Sequence, residues 1–159
     1  MKILICSDGT PAAESAIQLG GLLAIPLKAE TTLFGTAEKS QDEASLREAL
    51  EKQAQPIRSQ NVALDIIVHA GEPIREILDR TSKTSYDLVV IGARWTGATG
   101  NYWRSQKTYE VIKAIQPPVL VAIGECKHLS VFLFAPAARN SSSQRYSSQA
   151  DWLRQLMRP

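Results

Sequence analysis

The residues best suited to chemistry lie in one short stretch, "GARWTGATGNYWRSQ", from Gly92 to Gln106. It holds Gly92, Gly97 and Gly100, the two guanidinium groups of Arg94 and Arg104, and the hydrogen-bonding side chains of Ser105 and Gln106. Glycines between a strand and a helix let backbone N–H groups close on an anion, and the helix N-terminus adds a favourable dipole. Arginine forks would pair with phosphate oxygens. Trp95, Tyr102 and Trp103 interrupt the same stretch with bulk that a phosphate cradle does not need. The chemistry on offer is therefore anion binding, or a loop that has closed over a former anion site.

Such a loop acts only if a scaffold holds it. "KILICS" (Lys2–Ser7) is a short apolar run bounded by turn residues, the pattern of a strand buried on both faces. "DGTP" follows, with Thr10 as N-cap and Pro11 at the first helical position, and the helix is expected to run to about Ala24. Gly20 and Gly21 weaken that helix but permit close packing. "AETTLFGTA" (Ala29–Ala37) reads as the second strand. Ser40–Gln60 reads as a solvent-facing helix, with Ser40 and Glu43 as a capping box. "VALDIIVHA" is a third strand and "GEPIREILDRTSKTS" a third helix with Pro73 near its start. "YDLVVIG" is a fourth strand, "SQKTYEVIKAIQ" a fourth helix, and "PPVLVAIG" a fifth strand. The alternation predicts an α/β fold, an open parallel five-stranded sheet covered by helices on both faces. In such sheets ligands bind beyond the carboxyl ends of the strands where the strand order reverses. The natural site is then formed by "CSDGTP" and the loop after the fourth strand.

Four of these segments, in this order and spacing, carry a resemblance: "ILICSDGTPAAESAIQLG", "GEPIREIL", "YDLVVIGAR" and "PPVLVAIG". Together they resemble the universal stress protein family over roughly residues 1–124. The resemblance implies a Rossmann-like sheet of strand order 3-2-1-4-5 and a role as a binding or signalling module in stress response. In nucleotide-binding members the fourth strand is followed by G-x2-G-x9-G-[ST]. Here Gly92 matches the first glycine, Trp95 stands at the second, Ser105 replaces the third, and Gln106 replaces Ser/Thr. Asp8 resembles the family's acidic residue near the nucleotide, and Thr36 a residue lining the adenine pocket. By resemblance the cofactor-binding set is Asp8, Thr36, Gly92, Arg94, Ser105 and Gln106. ATP or another adenine nucleotide is disfavoured by Trp95, Ser105 and Gln106. The alternative is a nucleotide-binding stress protein with an altered phosphate loop and slow ATP hydrolysis. The family also implies a homodimer through the edge strand 119–123, the alternative being that the tail covers that edge.

The remaining observations narrow the class. The chain has 159 residues, 44% apolar and 21% charged, ordinary for a globular domain. Residues 1–126 carry 13 Lys/Arg against 15 Asp/Glu, whereas residues 127–159 carry 5 against 1. This divides the chain into a domain, 1–126, and a basic Ser-rich tail with a strand at 128–134 and a short amphipathic helix at about 149–158. The tail reads as the remnant of a second unit. Its basic residues are spread out, which argues against nucleic acid as a partner. Cys6 and Cys126 lie in or beside apolar strands and read as buried thiols of a reducing compartment. No signal-peptide core and no membrane-length apolar run is present, so a cytoplasmic location and no membrane partner are expected. His69 and His128 have no nucleophile or carboxylate partner at a recognisable spacing and read as structural or exposed. No G-x-S-x-G, Walker or H-E-x-x-H sequence occurs, so nothing argues for an enzyme. An adenylyl-transferring enzyme ranks last, because "CSDGTP" is too sparse for a pyrophosphate loop.

Overall fold

The computed structural model describes residues 1–10, 13–93, 112–123 and 130–134. Six strands form one sheet: β1 (Lys2–Ser7), β2 (Glu30–Ala37), β3 (Leu64–Ala70), β4 (Leu88–Ala93), β5 (Val119–Ile123) and β6 (Ser130–Phe134). Their order is β3-β2-β1-β4-β5-β6. The first five are parallel, as the alternation of elements requires, and β6 lies antiparallel on β5.

Helices α1 (Glu14–Leu27) and α2 (Glu43–Arg58) cover one face and α3 (Pro73–Lys83) packs on the other. On the α1/α2 side Ile3, Ile5, Leu33, Val68, Val90 and Leu120 meet Ala16, Ile17, Leu50 and Ile57. On the α3 side Leu4, Cys6, Phe34, Val89, Ile91 and Val121 meet Ile77, with Ile74, Leu78 and Ile112 packed against them. Central strands with both faces buried explain the continuous apolar runs of β1 and β4. The segment 112–114, ahead of β5, is helical.

Three local expectations are corrected. The backbone of α1 begins at Glu14 with Ala13 as N-cap, and Thr10 contributes its carbonyl, which accepts from the Ala13 N–H at 3.0 Å. The helix also continues past Ala24 to Leu27, because Pro26 lies in its last turn. The carbonyl left without a donor there belongs to Leu22, which is exposed to water. Ser40 does not cap α2: Ser40–Asp42 forms a 3-10 turn, and Asp42 takes the N-cap position without a side-chain hydrogen bond. For α3, by contrast, the Glu72 carboxylate accepts from the Arg75 N–H at 3.0 Å and Pro73 opens the first turn.

The sheet edge is the fourth correction. Residues 119–123 were expected to be the free edge, but β6 pairs along all of β5, from Val119 opposite Phe134 to Ile123 opposite Ser130. Leu133 packs toward the α1/α2 core and Phe134 toward the α3 core, so β6 extends both apolar layers. The expected tail strand exists, and it occupies the edge assigned to a partner.

Candidate functional site

From β1 the chain winds outward through β2 and β3, then returns to the other side of β1 for β4, β5 and β6. The strand order therefore reverses between β1 and β4, and the crevice beyond their carboxyl ends is where this topology places a ligand. Gly92 sits there, half-buried, opposite Ala122 of β5. Arg94, Trp95, Ser105 and Gln106 lie outside the described residues.

Asp8 follows directly on β1. Its Oδ1 accepts two hydrogen bonds, from the Thr10 N–H at 3.0 Å and from the Thr10 hydroxyl at 2.6 Å. This is an Asx turn, which Asp favours because its short carboxylate mimics a backbone carbonyl. The neighbouring Ser7 is buried, and its Oγ accepts from the Gly9 N–H at 3.1 Å. From α2, the Gln53 amide donates to the Gly9 carbonyl at 3.4 Å. The Gln53 Oε1 is buried and accepts nothing among the described residues. The loop after β1 is thus held by its own side chains and by α2, with Oδ1 of Asp8 engaged and Oδ2 without a hydrogen bond among the described residues.

Thr36 stands near the end of β2 and is half-buried. Among the described residues its hydroxyl has no hydrogen bond. Its register partner on β3 is His69. Successive residues of a strand point to opposite faces, and Phe34 lies in the α3-side core, so Thr36 faces that side too. His69 shares this face, since its ring meets Phe34 edge-on, with centroids 5.5 Å apart and planes at 78°. The His69 Nδ1 lies 3.3 Å from Oε2 of Glu76 on α3. Ser7 pairs with Gly35, and Asp8 follows in the turn beyond the last paired residue of β1. The sequence reading took His69 as structural or exposed, with no carboxylate at a recognisable spacing; it is exposed, and the carboxylate of Glu76 stands beside it.

Among the described residues of the crevice no nucleophile is paired with a base. The Cys6 thiol is pushed up to about 12 by burial, which removes it as a thiolate at neutral pH. Among the described residues no group of three or more His, Cys, Asp or Glu could hold a metal ion.

A family model for universal stress proteins matches residues 1–122. The chain belongs to the universal stress protein family. Solved structures of universal stress proteins share its fold. One, a complex with cAMP, matches with a TM-score of 0.61 and 11% identity, covering 76% of this chain and 94% of that one. The protein from Lactobacillus plantarum matches with a TM-score of 0.58 and 18% identity over 76% of this chain and 96% of its own. That from Archaeoglobus fulgidus matches at 0.57 and 20% over 76% and 92%. A comparison with curated proteins gives no match. At these identities the structural likeness speaks for the fold. Membership of the family supports a role in the stress response. Among the described residues no helix is long and apolar enough to cross a membrane.

Proposed function

We propose that this universal stress protein is a cytoplasmic binding and signalling module that does not take ATP in the usual family mode. The observation that carries this is the loss of the phosphate motif after β4. Gly92 is retained at the crevice, whereas Trp95, Ser105 and Gln106 replace the other three positions. Those positions matter through backbone geometry, since N–H groups must approach the phosphates closely. A tryptophan in place of a glycine fills that approach and disfavours any φ > 0 the turn requires. The proposed site residues are Asp8, Thr36 and Gly92, joined from the loop by Arg94, Ser105 and Gln106. The proposed organisation is a domain over 1–126 with the tail 127–159 attached through β6.

A second reading keeps a nucleotide in an altered loop, with Arg94, Ser105 and Gln106 holding phosphates and slow hydrolysis following. It is favoured by the Oδ2 of Asp8 and the hydroxyl of Thr36, which make no hydrogen bond among the described residues. The cAMP complex of a fold relative makes that cyclic nucleotide a reasonable probe. For self-association the reading moves one strand outward. The outermost strands of the described sheet are β3 and β6, so a homodimer forms through one of these edges rather than through 119–123.

The deciding experiment is nucleotide content and thermal shift. A ligand at a hundredfold excess over its Kd stabilises by about 2.7 kcal/mol, which is about 5–10 °C for a chain of this size. We expect no nucleotide released from the denatured protein and no shift with millimolar Mg-ATP. A shift of that size with ATP would sink the first reading and support the second.

A further inference from the structure

Of the helices α1, α2 and α3, the first is unlike the others. The outward faces of α2 and α3 carry exposed charges, among them Glu48, Lys52, Arg75 and Lys83. In α1 nine consecutive residues, Leu19–Leu27, hold no polar side chain at all. A helix that is apolar all round is one that is covered all round. Yet Leu22 is 66% exposed, and Pro26 is exposed with it. Far from the crevice, α1 therefore presents an apolar face to which the described residues give no cover.

The neighbours of α1 fix the direction of that face. Gly20 lies against Ile5 of β1, and Gly21 lies against Ile57 of α2. On the side away from α2, the Ser15 hydroxyl donates to the Ala122 carbonyl of β5 at 3.5 Å. Helical periodicity puts Leu19, Leu22, Leu23 and Pro26, at i, i+3, i+4 and i+7, on the Ser15 side. Leu19 is buried and Leu23 half-buried, so the stripe runs from the core out to solvent. It faces the outer strands, where Leu133 of β6 is half-buried against the same core. Among the described residues no helix stands beyond α1 on this face of the sheet. The helical segment 112–114 belongs to the opposite face, where Ile112 packs. Helix α1 and the outer strands thus bound an apolar groove.

We propose that this groove is the docking site of the chain's own C-terminal segment, residues 149–158, which lie outside the described residues. The path of the chain leads there. Strand β6 ends at Phe134 opposite Val119, at the amino end of the sheet, where α1 also hands over to β2. Three strand spacings, about 15 Å in all, separate β6 from β1. The 14 residues from 135 to 148 span up to about 50 Å when extended, so the tether reaches the groove with slack. Segment 149–158 sets Trp152, Leu153, Leu156 and Met157 at i, i+1, i+4 and i+5, one face of a helix about 15 Å long. Laid antiparallel to α1, it brings Arg158 toward Glu14 and Asp151 toward Lys28, and both α1 residues are exposed. The charges of the two parts agree with this. Residues 1–126 carry 13 Lys/Arg against 15 Asp/Glu, and residues 127–159 carry 5 against 1. A tether of this length raises the local concentration of the segment to the order of millimolar, so a weak contact is enough to fill the groove. The inference stands apart from the crevice and from any nucleotide.

The test is limited trypsin digestion of the full-length protein, read by mass spectrometry. Arg154 lies inside the segment, and Arg145 lies in the stretch that leads to it. If the segment docks, trypsin cuts after Arg154 only in the undocked fraction, whereas the Arg145 site serves as an internal control. Leu22→Asp should speed cleavage after Arg154 about tenfold or more, the effect of losing a buried leucine from the contact. Cleavage after Arg145 should not change. Leu22→Met should cleave like the parent, and Leu156→Asp, which leaves α1 untouched, should match Leu22→Asp. Circular dichroism and Tm establish that the variants are folded. The occupant is identified by photo-crosslinking from benzoylphenylalanine introduced at position 22, in a mixture of light and isotopically heavy chains. We expect adducts within one chain, to residues 149–158. Adducts between light and heavy chains would assign the groove to a second copy and overturn the proposal. It is equally overturned by the absence of any adduct to 149–158, or by equal cleavage after Arg154 in the parent and in Leu22→Asp.

Discussion

Gly20 lies inside α1, where glycine is a poor choice by propensity. On that ground alone Gly20→Ala should stabilise the helix by about 1 kcal/mol. The packing argues the opposite. A Cβ at Gly20 would collide with Cδ1 of Ile5 and lie 2.6 Å from its Cγ1. Ile5 is fully buried at the centre of β1, between Leu33 and Val90, so it has nowhere to retreat. Overpacking of this kind costs about 1–3 kcal/mol. The upper half of that range applies, because the clash involves Cγ1 as well as the side-chain tip. After the propensity gain is deducted, Gly20→Ala is expected to destabilise by about 1–2 kcal/mol, a fall of about 2–8 °C in Tm. Urea denaturation checks it, with the midpoint lowered and the slope unchanged. Ile5→Val removes the Cδ1 and should itself cost about 0.5–1.5 kcal/mol. In the double variant the two changes should couple favourably by about 1 kcal/mol. Gly21→Ala is the milder comparison, since its Cβ would meet Ile57 at 2.9 and 3.2 Å, near the end of that side chain. A Gly20→Ala midpoint at or above the parent's, or strict additivity with Ile5→Val, would refute the claim that helix–strand approach, and not chance, placed the glycine.

Two further expectations concern Cys6 and the sheet edge. Burial pushes the Cys6 thiol from its ordinary 9.0 up to about 12. The unfolded chain therefore releases this proton near pH 9 while the folded chain keeps it, and the stability that the neutral thiol contributes is full below pH 9 and lost between 9 and 12. Stability should fall by up to about 1.4 kcal/mol per pH unit from this group, and Cys6→Ala should flatten that slope in urea titrations. Alkylation by iodoacetamide at neutral pH without unfolding, mapped to Cys6 rather than Cys126, would contradict the burial argument. At the edge, deleting residues 127–159 removes β6 and bares the backbone N–H and C=O groups of β5. The shortened chain should self-associate more strongly than the full chain in sedimentation velocity at tens of micromolar. Indistinguishable behaviour of the two would mean that β6 does not guard that edge.

The elements easiest to read from the sequence were those whose two faces are both buried. "KILICS" and "LVVIG" are apolar throughout because helices cover them from both sides, and both are strands as expected. That the first five strands are parallel followed from their alternation with helices, which is general, whereas their order was implied by the family resemblance. The placement of β6 did not follow. "SVFLF" announces a strand, but hydrophobic pattern carries no information about which neighbour it joins or in which direction. Helix starts were misplaced where residue type was right and geometry decided otherwise: Ser40 and Glu43 fit a capping box, yet a 3-10 turn lies between the strand and α2. That His69 has a carboxylate beside it was not legible for a related reason. Its carboxylate partner is seven residues away, across the turn that reverses the chain from β3 into α3. Side-chain pairs made across such a turn have no fixed spacing, unlike the i, i+4 pairs of a helix such as Glu48 with Lys52.

That difference bears on how the site should be understood. A phosphate motif is a property of local backbone, so its loss can be read from four positions, and Trp95, Ser105 and Gln106 stand at three of them. A row of side chains on neighbouring strands is a property of register, so it is visible only when the strands are laid side by side. The two ends of the crevice are therefore built by different segments of the chain. Substitutions after β4 can remove the cradle for phosphates without touching Asp8, Thr36 or His69, which are held by β1, β2 and β3. The reverse also holds, because Glu76 and Gly71 orient His69 through α3 and its turn, without any part of the motif.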